Sequence, residues 1–186
     1  MNYQDIIHQY TQILEKFFAD KGHVFKEVIN LLTDRLKAGR KILIFGNGGS
    51  AAQAQHFAAE LVNKFLKTRP PLRAISLATD TAALTSIGND ISFDHVFSRQ
   101  IEALGDREDV ALALSTSGNS PNIIKCVEVA KKKELLAVAF TGEGGGQLAR
   151  SVDYLIDIPS KSTPRIQEAH LLLLHLLAQE LEEGLG

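Results

Sequence analysis

His56 and Glu60 stand four residues apart in the stretch KILIFGNGGSAAQAQHFAAE, residues 41–60. On a helix that spacing puts an imidazole and a carboxylate on one face, and such a pair is suited to moving protons. A second polar set, Gln167, His170 and His175, lies near the C-terminus, the two histidines bounding the run HLLLLH. Gln167 and His175 are eight residues apart, a little over two helical turns, and share a broad face. His175 has few polar partners among the surrounding leucines of its own helix. Buried polar groups are normally bonded, so it needs a partner from elsewhere, whereas His170 reads as a core histidine. Two loops of small polar residues complete the inventory: Gly46-Asn47-Gly48-Gly49-Ser50 and Ser115-Thr116-Ser117-Gly118-Asn119-Ser120. Neither contains Lys or Arg. Serine hydroxyls and backbone N–H groups at a helix start hold a phosphate monoester through hydrogen bonds and the helix dipole.

The flanking pattern says how these groups are positioned. Ile42-Leu43-Ile44-Phe45 is a buried-strand run, the glycines after it permit a tight turn, and Ser50 is a good N-cap for an Ala-rich helix over 51–66. Strands then alternate with helices. They fall at about 73–78, 110–114, 135–140 and 154–158, with helices near 80–87, 97–104, 121–133 and 163–182. Gly88 to Phe93 reads as an irregular loop. Ser120-Pro121 is a strong helix start. This order predicts an α/β fold, a three-layer doubly wound sheet of five parallel strands in the flavodoxin-like order 2-1-3-4-5. Ligands of such sheets sit at the switch point between strands 1 and 3, where the two polar loops emerge. Ahead of this body, residues 1–40 read as a helical hairpin, 3–20 and 22–39, broken at Asp20-Lys21-Gly22. The whole chain reads as one domain, the α/β body spanning 41–186.

Composition sets the outer bounds. The 186 residues suit a single core, 45% of them hydrophobic. A formal net charge of −2 gives no sign of nucleic-acid or membrane-surface binding. The single cysteine, Cys126, allows no internal disulfide. The N-terminal residues lack a signal-peptide core and no apolar run is long enough to span a bilayer, so a cytoplasmic protein is expected. Gly46-x-Gly48-x-x-Ala51 satisfies the loose dinucleotide fingerprint, but the acidic residue expected some twenty positions on is missing. No nucleotide cofactor is expected.

Taken together, Gly46–Ser50, His56–Leu61 (HFAAEL), Gly88-Asn89-Asp90, Ser115–Ser120 and Arg165–His170 (RIQEAH) resemble the sugar-isomerase (SIS) fold family over nearly the whole chain. Within it they resemble the phosphoheptose isomerases. The serine loop marks the superfamily; the HxxxE helix with the terminal Gln and His is more specific. The resemblance implies an enzyme that converts sedoheptulose 7-phosphate to D-glycero-D-manno-heptose 7-phosphate through an enediol(ate), for nucleotide-heptose and surface lipopolysaccharide synthesis. It implies that Ser50, Ser115, Ser117 and Ser120 hold the phosphate, and that Asn47, Gly48, Gly49, Asn89, Asp90 and Thr116 contact the sugar or shape its pocket. Glu60 and His175 would be the acid–base pair. His56, Glu60, Gln167 and His175 match the family's site for zinc, one per subunit, and Gln167 also borders the substrate. The family forms homotetramers with sites between subunits, which would supply His175's partner. Two positions depart from the family pattern: Pro164 precedes Arg-Ile-Gln where an acid is common, and Lys64 stands where an Arg often follows the carboxylate. Two alternatives use the same scaffold. One is a non-catalytic tetramer that binds the replication initiator protein; the other is a sugar-phosphate-sensing regulator. Neither needs both Glu60 and His175.

Overall fold

The computed structural model describes residues 2–185. Its centre is a five-stranded parallel sheet in the order β2-β1-β3-β4-β5, with β1 Ile42–Gly46, β2 Ala74–Ser76, β3 Val110–Ser115, β4 Leu136–Thr141 and β5 Tyr154–Asp157. The doubly wound α/β expectation holds. Alternate residues of each strand feed opposite cores, as a period of two requires. Ile42, Ile44, Leu112, Leu114 and Phe140 pack on one face, and Leu43, Phe45, Ala111, Ala113 and Ala139 on the other. The first face is covered by α1 (Tyr3–Lys37), α2 (Gly49–Val62) and α6 (Thr163–Leu185). The second is covered by α3 (Thr81–Asp90), α4 (Ser98–Leu104) and α5 (Pro121–Lys132). Among the described residues no helix is long and apolar enough to cross a membrane.

Register fixes where the loops emerge. Gly46 pairs with Leu114, and Ser115 with Thr141. The loops after β1 and β3 therefore leave adjacent strands at the same edge, and α2 and α5 start side by side.

Three local expectations are corrected. The N-terminal hairpin is a single helix of 35 residues with no break at Gly22. Glycine inside a helix costs about 1 kcal/mol relative to alanine, and the aromatic packing across that turn offsets it. Phe17 and Phe25 are buried, and the rings of Phe17, Phe18 and Phe25 meet edge to face at 5.2–6.4 Å. Helix α2 starts earlier than expected, at Gly49, with Gly48 as its N-cap at φ +54°. Ser50 thus lies in the first turn instead of capping it, and its hydroxyl is left for other work. Helix α3 runs through Gly88 to Asp90, so the expected irregular loop begins only at Ile91. Asp80 starts that helix by accepting the Ala83 N–H at 2.9 Å.

Candidate active site

The switch point holds a small polar cavity. Asn47, Ser50, Ser115, Thr116, Ser120 and Gln167 line a space of about 70 Å³. The first turn of α2 contributes Ser50, and the N-cap of α5 contributes Ser120, whose side chain makes no capping bond. Two helix N-termini thus face one cavity, with partial positive charge from each dipole. Ser115 is buried, and its Oγ accepts the Gly118 N–H at 3.2 Å, which leaves its hydroxyl proton to donate. Thr116 opens on a second side too. With Ser117 it borders an adjoining cleft of about 240 Å³ near Lys161. Ser117 is exposed and its Oγ accepts the Asn119 N–H at 3.1 Å.

Gln167 roofs the cavity from α6. Its amide lies so close to Gly49 that a Cβ there would meet Nε2 at 2.6 Å. Gly48 and Gly49 form the exposed rim. Gln53, one turn down α2, donates to the Gln167 carbonyl at 2.6 Å and ties the two helices together.

Asn122 is a contributor that sequence reasoning missed. It is 1% exposed and exchanges two amide hydrogen bonds with Asn47, at 2.9 and 2.8 Å. The pair joins the β1 loop to the start of α5. Its signal in the sequence is a polar residue on the face that also carries Ile123, Cys126, Val127 and Ala130.

Two turns further along the α2–α6 seam His56, Glu60 and His175 come together. The Nε2 atoms of His56 and His175 are 2.8 Å apart, and Glu60 Oε1 is 3.5 Å from the same nitrogen of His56. Carboxylate and both imidazoles therefore share one environment, partly open to solvent: the side chains of His56 and Glu60 are 44% and 24% exposed. The Phe65 ring stacks on His175 with centroids 5.5 Å apart and planes at 23°. A partner for His175 is thus found within this chain, His56 of α2. His175 also borders an apolar groove of about 440 Å³ between α1 and α6, with Ile6, Ile7, Tyr10, Leu171 and Leu172.

His170 does not join the site. It is fully buried, its Nε2 lies 3.0 Å from the Thr141 carbonyl, and its Nδ1 has no partner. Burial pushes its pKa down to about 4, a carbonyl hydrogen bond opposing only part of that. It is a neutral core histidine under the end of β4, as read from the sequence. Asn89 and Asp90 lie on the exposed end of α3, bonded to each other at 2.7 Å, and border neither the serine cavity nor the histidine pair in this chain.

The zinc donor set is brought together in part. Tetrahedral ligands at about 2.0–2.1 Å from zinc sit roughly 3.3 Å from one another. The His56–His175 and His56–Glu60 separations bracket that value. Among the described residues no three His, Cys, Asp or Glu side chains already stand in metal-holding geometry, and the two imidazoles instead hydrogen-bond each other. Gln167 points to the serine cavity, about 12 Å up the helix from His175 at 1.5 Å per residue. By donor chemistry His56, Glu60 and His175 suit a zinc ion; Gln167, lying against Gly49, must swing away to join them.

Comparison with known proteins places the fold in a family. The SIS domain model matches residues 5–142. The chain is 48% identical to the phosphoheptose isomerase of Thermodesulfovibrio yellowstonii over 93% of its length and 86% of that protein. It is 50% identical to phosphoheptose isomerase 1 of Campylobacter jejuni, over 95% and 94%. The structure of the Neisseria gonorrhoeae phosphoheptose isomerase superimposes with a TM-score of 0.91 at 39% identity, covering 97% of both chains.

Proposed function

The chain belongs to the phosphoheptose isomerase family of SIS-domain proteins, and we propose that, as a sugar-phosphate isomerase, it converts sedoheptulose 7-phosphate to D-glycero-D-manno-heptose 7-phosphate. The observation that carries this reading is the meeting of Glu60 and His175 at His56, two helical turns from a serine cavity between two helix N-termini. With bonds of about 1.5 Å, an extended seven-carbon phosphate spans about 10 Å from carbon 1 to phosphorus. That span suits the separation between the cavity and the histidine pair.

Ser50, Ser115, Thr116 and Ser120 donate to the phosphate oxygens, and the two helix dipoles balance the charge in the absence of Lys or Arg. Asn47 and Gln167 orient the hydroxyls that follow. Glu60 takes the proton from carbon 1 of the ketose and returns one to carbon 2. His175 moves the proton between the two oxygens as the enediol forms and collapses. His56 touches both groups and fixes their spacing. Where zinc is bound, His56, Glu60 and His175 would hold it, and it would supply a Lewis acid for the carbonyl oxygen.

The apolar groove beside His175 supports the further reading that a second copy of this chain covers it, within a homotetramer. A cytoplasmic role in making nucleotide-heptoses for surface polysaccharide completes the proposal.

The test is turnover of sedoheptulose 7-phosphate, followed by the appearance of the aldose, alongside metal analysis of the purified protein. Turnover in the range of 1–10³ s⁻¹, about what enzymes show, supports the assignment. No turnover with metal-replete protein, under conditions where the sugar phosphate still binds, would turn the reading toward a sensing role.

A further inference from the structure

Helix α6 carries one carboxylate on its buried stripe. Glu182 lies seven residues beyond His175 and is 2% exposed. Its oxygens collect three successive backbone N–H groups: Phe65 at 3.0 Å on Oε1, then Leu66 at 2.8 Å and Lys67 at 2.7 Å on Oε2. Consecutive N–H groups aimed at one anion form a nest. Burial raises the Glu182 pKa, but the three N–H bonds and the Arg69 charge outweigh it, and the net shift is downward.

Arg69 is the other half of the device. Its side chain is 1% exposed, with Nε 3.3 Å from Glu182 Oε1. Its Nη1 donates to the Leu61 carbonyl at 2.8 Å and its Nη2 to the Glu60 carbonyl at 2.8 Å. Those carbonyls belong to the last turn of α2, which lacks a basic residue of its own. The same ion pair therefore caps the last turn of α2, at the Glu60 and Leu61 carbonyls, and pins the following loop to α6. That loop carries Phe65, whose ring lies on His175. Neither charged residue lines the serine cavity.

A buried ion pair is a poor device for stability, because desolvation offsets most of the attraction. Its value here is geometric. We propose that Glu182 and Arg69 are positioning residues of the isomerase site: they fix the backbone of Glu60 and the ring of Phe65, and through them the approach of the carboxylate to His175. The inference rests on the isomerase reading of Glu60 and His175.

Glu182→Gln keeps an acceptor for part of the nest and removes the charge; Arg69→Lys keeps the charge and loses the fork. Both are expected to lower kcat about tenfold while leaving KM within twofold, because the phosphate grip lies elsewhere. Phe65→Leu should do the same. A second readout does not depend on activity. In protein labelled at histidine, the His175 ring protons carry the ring current of Phe65; Phe65→Leu removes it, and Glu182→Gln is expected to shift those signals in the same direction. Folded variants with parental kcat and unmoved His175 signals would overturn the inference. So would a loss of kcat that only tracks the folded fraction measured by circular dichroism. Should the parent fail to isomerise the heptulose, the isomerase reading falls, and the histidine signals alone still decide whether Glu182 positions His175.

Discussion

Glu60 Oε1 and His175 Nε2 approach the same atom, His56 Nε2, from opposite helices, at 3.5 and 2.8 Å. A base for a carbon-bound proton and an acid for an oxygen-bound one need to be separate yet within reach of adjacent atoms. On the proposed isomerase reading the α2–α6 seam would supply that arrangement, because i, i+4 spacing aligns His56 with Glu60, and Gln53 locks α2 to α6 one turn earlier.

Glu60→Gln should remove the proton-moving group and leave the phosphate grip. General acid–base groups contribute typically 10²–10⁴ in rate, so kcat is expected to fall about 10³-fold. Binding of sedoheptulose 7-phosphate by calorimetry should stay within a few-fold of the parent. Unchanged turnover would remove Glu60 from the mechanism.

His56→Ala tests the shared contact. His175 would lose its hydrogen-bond partner and keep the Phe65 stack. A smaller effect than at Glu60 is expected, about 10–100-fold in kcat, since the lost residue orients the pair without itself taking the carbon proton. Steady-state kinetics of the two variants, side by side, checks the ranking. A larger loss at His56 would make it the principal base.

Asn122→Ala should act on the other end of the substrate. It leaves the Asn47 amide without its two bonds, and an unsatisfied group of this kind costs about 1–3 kcal/mol. Two effects are expected: a lower urea midpoint, and a KM raised several-fold as the two loops drift apart. A variant with parental KM would confine Asn122 to the fold.

The fold was legible because its signals are periodic. Ile42–Phe45 and Val110–Leu114 are unbroken apolar strands, and Ser120-Pro121 begins α5 where expected. The hairpin expectation failed at Gly22 because a local breaker was weighed without the packing of Phe17 and Phe18 on Phe25, which reaches about two turns along the helix and spans it. The serine cavity followed from topology, since the order 2-1-3-4-5 puts the β1 and β3 loops together. The partner of His175 did not follow, because which face of α2 meets α6 is decided by the three-dimensional packing of the core that Phe57 and Leu61 share with Leu173, Leu174 and Leu177. Glu182 and Asn122 were hidden for a related reason. Each is a single polar residue in an apolar stripe, and the groups it satisfies are backbone atoms or an amide far away in sequence.

His170 makes the protein sensitive to mild acid. Burial holds its folded-state pKa at about 4, against an ordinary value of 6.5. The unfolded chain therefore takes up a proton as pH falls below about 6.5, and the folded chain does so only near 4. Well above 6.5 its titration adds no pH dependence to stability; between 6.5 and 4 it favours unfolding progressively, by about 2 kcal/mol at pH 5. Glu182, with its pKa below the usual 4.5, contributes stability that is lost only at still lower pH, as it protonates. Urea unfolding at pH 7.5 and pH 5 separates the two groups. His170→Gln, whose amide can still donate to the Thr141 carbonyl, should lose about 2 kcal/mol less than the parent across that interval. An identical loss in both proteins would mean that the folded state protonates His170 as readily as the unfolded chain does.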